Sequence, residues 1–295
     1  MEVNYFSPVD VGRFLAERGI RLTKRFGQNF LIDRNKALQL VSLMGLEPGD
    51  TVLEIGPGLG TMTHLFLSRV KKTAAVEIDR GLCAILRETM GADPGFELHE
   101  ADFLKLDPVL LPAVPMKVYS SLPYATASQI LIRLAGISER VTNLAVLLPD
   151  EIVARMTATP SNSQYGVFAV FMDAFFRIED ASVRVDRGCF FPRPKVDSRY
   201  VRLAPVRGGG VDPAESREFI AFVSSFFQRR RKLFSGTLRL LAERAGTFDG
   251  PFKKEKFAFL VGRYNLSPDA RPEDVPPAAY RELFRVFRHS RISGG

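Results

Sequence analysis

From about Asp33 to Arg155 the chain alternates apolar runs of strand length with amphipathic stretches of helical period, the pattern of a parallel sheet covered by helices. Asp33 stands ahead of Ala37, Leu38, Leu40, Val41 and Met44, which predicts a capped helix. Glu47-Pro48-Gly49-Asp50 predicts a turn into a first strand. That strand, beginning at Val52, runs through Glu54 and Ile55 straight into Gly56-Pro57-Gly58-Leu59-Gly60, and Thr61 to Arg69 follow as a helix. A second strand ends at Glu77-Ile78-Asp79, and a third, Phe96 to Ala101, ends at Asp102-Phe103. Past Gln164 the alternation changes. Phe168 to Phe176 is aromatic and apolar, Arg177 to Asp186 reads as an edge strand, and Asp197 to Leu203 alternates as a further strand. Arg207-Gly208-Gly209-Gly210 reads as a linker, and the segments 214–228, 232–245, 252–261 and 277–288 beyond it carry helical periodicity. The expected division is an N-terminal extension over 1–20, an α/β domain over 21–206 and a small helical domain over 211–295.

The glycine turn carries the first chemical information. A strand that breaks sharply into a helix needs unusual φ values, and a ligand lying on the turn needs Cβ atoms to be missing; glycine meets both demands. The amides at the start of the following helix attract a polar or anionic group. The spacing here is G-x-G-x-G, neither the G-x-G-x-x-G of dinucleotide sites nor the Lys-Ser/Thr of a phosphate loop, which argues against NAD and ATP. In doubly wound folds the acid at the end of the second strand accepts the hydroxyls of a ribose, and Glu77 stands there. Asp102 beside Phe103 suits an adenine amine and its ring face. A nucleoside cofactor without phosphates fits this set, and S-adenosylmethionine is the best candidate.

Composition narrows the setting. The 295 residues allow one large and one small domain, and 46% hydrophobic with 25% charged residues describes a globular protein. A net charge of +8 favours a polyanionic partner. Cys83 and Cys189 fit a reducing compartment, and no Cys/His cluster has metal-ligand spacing, so no metal is expected. Neither a signal peptide nor a membrane-length apolar run is seen, and the expectation is a cytoplasmic monomer with no membrane partner. His64, His99 and His289 are scattered and receive no catalytic role.

Six segments in order carry a family resemblance: Arg25-Phe26-Gly27-Gln28-Asn29-Phe30-Leu31, Glu54 to Gly60, Val76 to Asp79, Ala101-Asp102-Phe103, Leu122-Pro123-Tyr124, and Phe190-Phe191-Pro192-Arg193-Pro194-Lys195-Val196-Asp197-Ser198. The chain resembles the ribosomal RNA adenine N6-dimethyltransferases, the KsgA/RsmA-like family, with the erythromycin-resistance methyltransferases as more distant relatives. The resemblance implies a Rossmann-like class I S-adenosylmethionine-dependent methyltransferase fold with a small C-terminal helical domain, and dimethylation of adenine N6 in small-subunit (16S) ribosomal RNA. It makes Gln28, Asn29, Leu31, Gly56, Gly58, Glu77, Ile78, Asp102, Phe103 and Ser121 contacts of the cofactor. It also makes Ser121, Leu122, Pro123 and Tyr124 the motif that holds the base, with Tyr124 stacking on one face and Phe190 closing the other.

Methyl transfer to N6 is a problem of geometry. The amine lone pair is delocalised into the ring, so the protein must hold nitrogen in line with the methyl group and accept hydrogen bonds from the amine. Stacking of a splayed-out base on an aromatic ring contributes roughly 1–3 kcal/mol. The family motif begins with Asn, whereas this chain has Ser121; a serine hydroxyl can accept, but it is shorter and has no fixed carbonyl. Two readings therefore stand: an RNA methyltransferase, or a ribosome-assembly or RNA-binding paralogue with weak or redirected transfer. For the RNA itself the basic candidates are Arg25, Arg193, Lys195 and the run Arg229-Arg230-Arg231-Lys232, which stands where the family has a similar basic segment. Each phosphate they neutralise would release counterions.

Overall fold

Local signals account for the first elements. The computed structural model describes residues 3–20, 22, 28–122, 126–209, 211–244, 259 and 261–292. Asp33 caps helix α2 (Arg34–Leu43), its carboxylate accepting from the Lys36 N–H at 2.8 Å. At the following turn the Asp50 N–H donates to the Glu47 carbonyl, and the Glu47 N–H donates to the Asp50 carboxylate. Strand β2 (Thr51–Ile55) then enters the sheet buried along its whole length, as an apolar run in a parallel sheet must be. Asp79 accepts from the Gly81 and Leu82 N–H groups and so starts helix α4 (Arg80–Met90), which buries Leu82, Ile85, Leu86 and Met90 on one face.

Two compact units are present. The first comprises residues 1–153 and 178–205. Its sheet follows the order β4-β3-β2-β5-β6-β10-β7, with β8 paired to β10, where β3 is Lys72–Glu77, β4 Phe96–Glu100, β5 Met116–Ser121, β6 Val141–Pro149, β7 Phe176–Asp180, β8 Arg184–Val185 and β10 Ser198–Pro205. β2, β3, β4, β5 and β6 pair in parallel, while β10 runs antiparallel against β6 with Ser198 opposite Pro149. The order reverses between β3-β2 and β5-β6, and such a switch point opens a crevice at the carboxyl ends of the strands. A separate two-stranded ladder joins β1 (Phe30–Leu31) to β9 (Phe190–Phe191), with Phe30 opposite Phe191 and Leu31 opposite Phe190.

The structure redraws both edges of the expected α/β domain. Residues before 21 are not a separate extension: helix α1 (Pro8–Glu17), capped by Ser7, buries Val11, Phe14 and Leu15 in a cluster with Phe30, Leu59, Leu82 and Ile85. Residues 154–177, from within helix α6 (Asp150–Met156) to the first two residues of β7, cluster with the C-terminal unit. The cause is helix α7 (Val167–Phe175), which is apolar on nearly every face. It packs with α8 (Ser216–Phe227), for example through the rings of Phe175 and Phe219, and with the last helix, α10 (Pro277–Ile292), which meets α8 in turn through Phe219 and Phe284. The expected edge strand over 177–186 is divided into β7 and β8, because Asp180 accepts from both the backbone N–H and the hydroxyl of Ser182 and turns the chain between them. The second unit also contains α9 (Phe234–Arg244); most of the expected helix over 252–261 lies outside the described residues.

Helix α3 (Thr61–Leu67) leaves the glycine turn from Gly60, whose φ is 89°. A Cβ at Gly60 would lie 2.4 Å from Met90 Cε and 2.9 Å from a Leu86 methyl, both side chains of α4. Gly60→Ala therefore combines left-handed backbone strain with overpacking and should cost about 1–3 kcal/mol. The check is a lowered urea midpoint with an unchanged slope.

Candidate active site

The carboxyl ends of β2, β3, β4 and β5 surround a cavity of about 320 Å³, at the lower end of the roughly 300–1,000 Å³ common to small-molecule sites. β2 contributes Glu54 and Ile55 and leads into Gly56, Pro57 and Gly58; β3 contributes Val76 and Glu77 and leads into Ile78. Ala101 to Leu104 follow β4, and Tyr119, Ser120 and Ser121 end β5. Thr126 and Ile130 come from the start of α5 (Ala127–Ala135), and the last wall is the segment Gln28 to Leu31.

The glycine turn shapes the floor. Gly56, Gly58 and Gly60 all have positive φ, 70°, 63° and 89°, and a Cβ at Gly58 would meet two ring carbons of Phe30 at 3.0 Å. The missing side chain lets the Gln28–Leu31 wall close down on the turn. Gln28 fastens that wall, its amide donating to the Asp79 carboxylate at 2.8 Å.

Three carboxylates line this space, and two of them, Glu77 and Glu54, are buried. Glu77 accepts from the backbone N–H groups of Gly58 (3.2 Å), Ile78 (2.9 Å) and Asp79 (2.9 Å). Burial raises its pKa, and those donors oppose the rise. Glu54 is 1% exposed and accepts from Thr63 Oγ1 at 2.6 Å. Burial pushes its pKa up to about 8, opposed by the Thr63 bond and reinforced by the nearby charge of Glu77. Tyr119, also buried, stands opposite Glu54 in the β2–β5 ladder.

At the end of β5 the two serines have different surroundings. Ser120 is buried and its hydroxyl donates to the Ile55 carbonyl at 2.6 Å. Ser121 is half-buried and lines the cavity. Leu122 is buried, with its N–H donating to the Leu147 carbonyl of β6. Asp102 spends one carboxylate oxygen on the Leu104 N–H at 2.9 Å, which holds Phe103 against the cavity.

The cavity thus brings together Gln28, Asn29, Leu31, Gly56, Gly58, Glu77, Ile78, Asp102, Phe103 and Ser121. Phe190 departs from expectation. It is 4% exposed and packs in the core with Leu31, Ala37, Leu40, Tyr119 and Tyr200; its pairing opposite Leu31 turns it into that core and away from the cavity lining. Pro123, Tyr124 and Arg25 lie outside the described residues. The basic candidates Arg193 and Lys195 are exposed on the first unit, Arg193 3.9 Å from Asp186. On the second unit, Arg229 to Lys232 occupy the turn between α8 and α9, all exposed, with Arg230 paired to Glu273 at 3.0 Å. Sequence reasoning missed Glu54, Tyr119, Thr126 and Ile130. A lone acid inside an apolar strand could have exposed Glu54, whereas Thr126 and Ile130 carry no sequence signal. Among the described residues no group of acids, histidines and cysteines could hold a metal ion, and no helix is long and apolar enough to cross a membrane.

A carboxylate preset by backbone donors, flanked by apolar walls from Phe30, Leu31, Ile78 and Phe103, suits a ribose and an adenine. The family model for ribosomal RNA adenine dimethylase matches residues 19–248. The Ribosomal RNA small subunit methyltransferase A of Chromobacterium violaceum is 34% identical over 271 residues, covering 92% of this chain and 96% of that protein. Its namesake from Aromatoleum aromaticum is 39% identical over 225 residues, covering 74% and 82%. Among solved structures, a dimethyladenosine transferase from Plasmodium falciparum has a TM-score of 0.71 at 21% identity, covering 88% of this chain and 97% of that one. The 23S rRNA methyltransferase ErmE has a TM-score of 0.63 at 23% identity, covering 88% and 99%. Both structures share the fold.

The buried acid gives a pH signature. Folding lifts Glu54 from 4.5 to about 8, so over that interval the native state keeps a proton that the unfolded chain has released. Its contribution is complete below about pH 4.5 and is lost as pH rises towards 8. Glu54→Gln should remove this decline, moving the urea midpoint above that of the wild type at pH 8 and much less at pH 5.

Proposed function

The chain belongs to the ribosomal RNA adenine dimethylase family, and on that premise we propose that it transfers methyl groups from S-adenosylmethionine to N6 of adenines in small-subunit ribosomal RNA, using the cavity at the ends of β2 to β5. The observation that carries this reading is the combination of the glycine turn with Glu77, already oriented by three backbone N–H groups at the edge of that cavity. The cofactor, when bound, supplies an electrophilic methyl group.

The residues around it divide the remaining work. Glu77 accepts the ribose hydroxyls, while Ile78 and Phe103 enclose the adenine and Asp102 receives its amine. Gly56 and Gly58 let the ligand lie against backbone, and Gln28, Asn29 and Leu31 cover it. Ser121 holds the target amine by accepting a hydrogen bond from it. Leu122, pinned to β6, keeps the motif in register, and Tyr124 supplies the stacking face. Phe190 supports this wall from the core. A strong base is unnecessary, because the methylated nitrogen sheds its proton readily. The assembly-factor reading has no observation of its own in its favour.

Arg193, Lys195, Arg229, Arg231 and Lys232 serve as phosphate contacts in this reading, and the basic balance of the chain as a whole supports it. The small ribosomal subunit is the partner, and the cytoplasm follows as the compartment. The protein works as a monomer without metal.

Purified protein with labelled S-adenosylmethionine should methylate under-modified small subunits, with mass spectrometry locating N6-dimethyladenosine. Ser121→Ala should lower the rate about 10–100-fold and Ser121→Asn should raise it, since a positioned polar group at a reacting centre is typically worth 10²–10³ in rate at most. No transfer by either wild type or Ser121→Asn would refute the substrate assignment. Replacing Arg229, Arg231 and Lys232 together by Ala should weaken RNA binding across sequences. The dependence of log affinity on log salt should become shallower by about 2–3.

A further inference from the structure

Glu54 has no task in the mechanism above, yet it is buried at the cavity wall. Its surroundings differ from those of Glu77. Glu77 has three backbone donors, whereas Glu54 has the single hydroxyl of Thr63 from α3. Across the sheet Glu54 stands between Ala75 on β3 and Tyr119 on β5. The charged group that bears on it is Glu77, and Tyr119 is a buried phenol. Among the described residues neither carboxylate is in an ion pair with Lys, Arg or His. Two carboxylates in one poorly solvated space do not both ionise readily, and the one with fewer donors keeps its proton.

We propose that Glu54 couples cofactor binding to a proton: it is neutral in the free protein and releases its carboxyl proton to solvent when the cationic cofactor enters, so the cavity prefers the sulfonium over the uncharged thioether formed by methyl transfer. The inference rests on the cofactor assignment made above. The balance is simple. The carboxyl O–H bond breaks, the electron pair stays on Glu54, and the proton passes to buffer. Once the sulfonium has become a thioether, the attraction that held Glu54 ionised is weaker, the carboxylate takes a proton back, and product departure is favoured. The elevated pKa of about 8 in the free protein agrees with this order of events. Thr63 donates to one oxygen and leaves the other to carry the proton.

The test is titration calorimetry of the full chain at pH 7 with S-adenosylmethionine and with S-adenosylhomocysteine, in buffers of different ionisation enthalpy. Both ligands carry the same α-amino group, so its titration is common to both. Wild type should release up to about one proton on binding the sulfonium and clearly fewer on binding the thioether. In Glu54→Gln the two ligands should release the same number. The wild-type preference for the sulfonium should also increase as pH rises towards 8, and this increase should vanish in the variant. Infrared difference spectra of the wild type give a check independent of any variant: the carbonyl band of a protonated carboxyl should disappear on adding S-adenosylmethionine. Equal proton release by wild type and Glu54→Gln, or no loss of that band, would overturn the proposal. Failure of the wild type to bind either ligand would instead overturn the cofactor assignment.

Discussion

The contact between Gly58 and the Phe30 ring is the constraint on which the rest of the cavity depends. With any side chain at 58, its Cβ would lie 3.0 Å from two carbons of the ring, which would have to give by a few tenths of an ångström. Phe30 is not free to do so, because it pairs with Phe191 in the β1–β9 ladder and packs among Val11, Phe14, Leu59 and Leu82. A movement at the turn would therefore disturb α1, the small ladder and the start of α4 together. The same backbone also sets the chemistry, since the Gly58 N–H is one of the donors that orient Glu77. Steric permission and electrostatic preorganisation come from one residue.

The parts of the fold with short-range causes were legible in the sequence. Asp33 capping α2, the turn at Glu47 to Asp50, and the break of β2 into three positive-φ glycines each follow from interactions within a few residues. That Gly56, Glu77 and Asp102 meet at one cavity was legible for a different reason: a parallel sheet places its strand ends on one side. What failed depended on distant partners. Nothing near 167–175 says that its all-round apolar surface belongs with α8 and α10, since hydrophobicity records the need for burial but not the neighbour that meets it. Phe190 shows the limit most sharply. It and Phe191 are adjacent and identical, and only the register against Phe30 and Leu31 decides which ring enters which cluster.

Glu54 belongs to a different category. A carboxylate in the centre of an apolar strand contradicts the local pattern, and such contradictions concentrate at functional sites because they are costly elsewhere. The structure distinguishes Glu54 from Glu77 by hydrogen-bond supply, not by burial, as both are nearly inaccessible. Two acids of one type, about the same cavity, can thus carry different charge.

The division of the first unit into 1–153 and 178–205 bears on how the protein is made. Strand β10, the antiparallel partner of β6, is synthesised after β6 and after α7, a helix of the other unit. At roughly 5–20 residues per second, the stretch between residues 153 and 205 keeps one flank of β6 uncovered for about 3–10 s of translation. The cavity strands β2 to β5 precede this delay, whereas the Gln28–Leu31 wall gains its β9 partner only within it, so the floor of the site is made before its cover can be fixed.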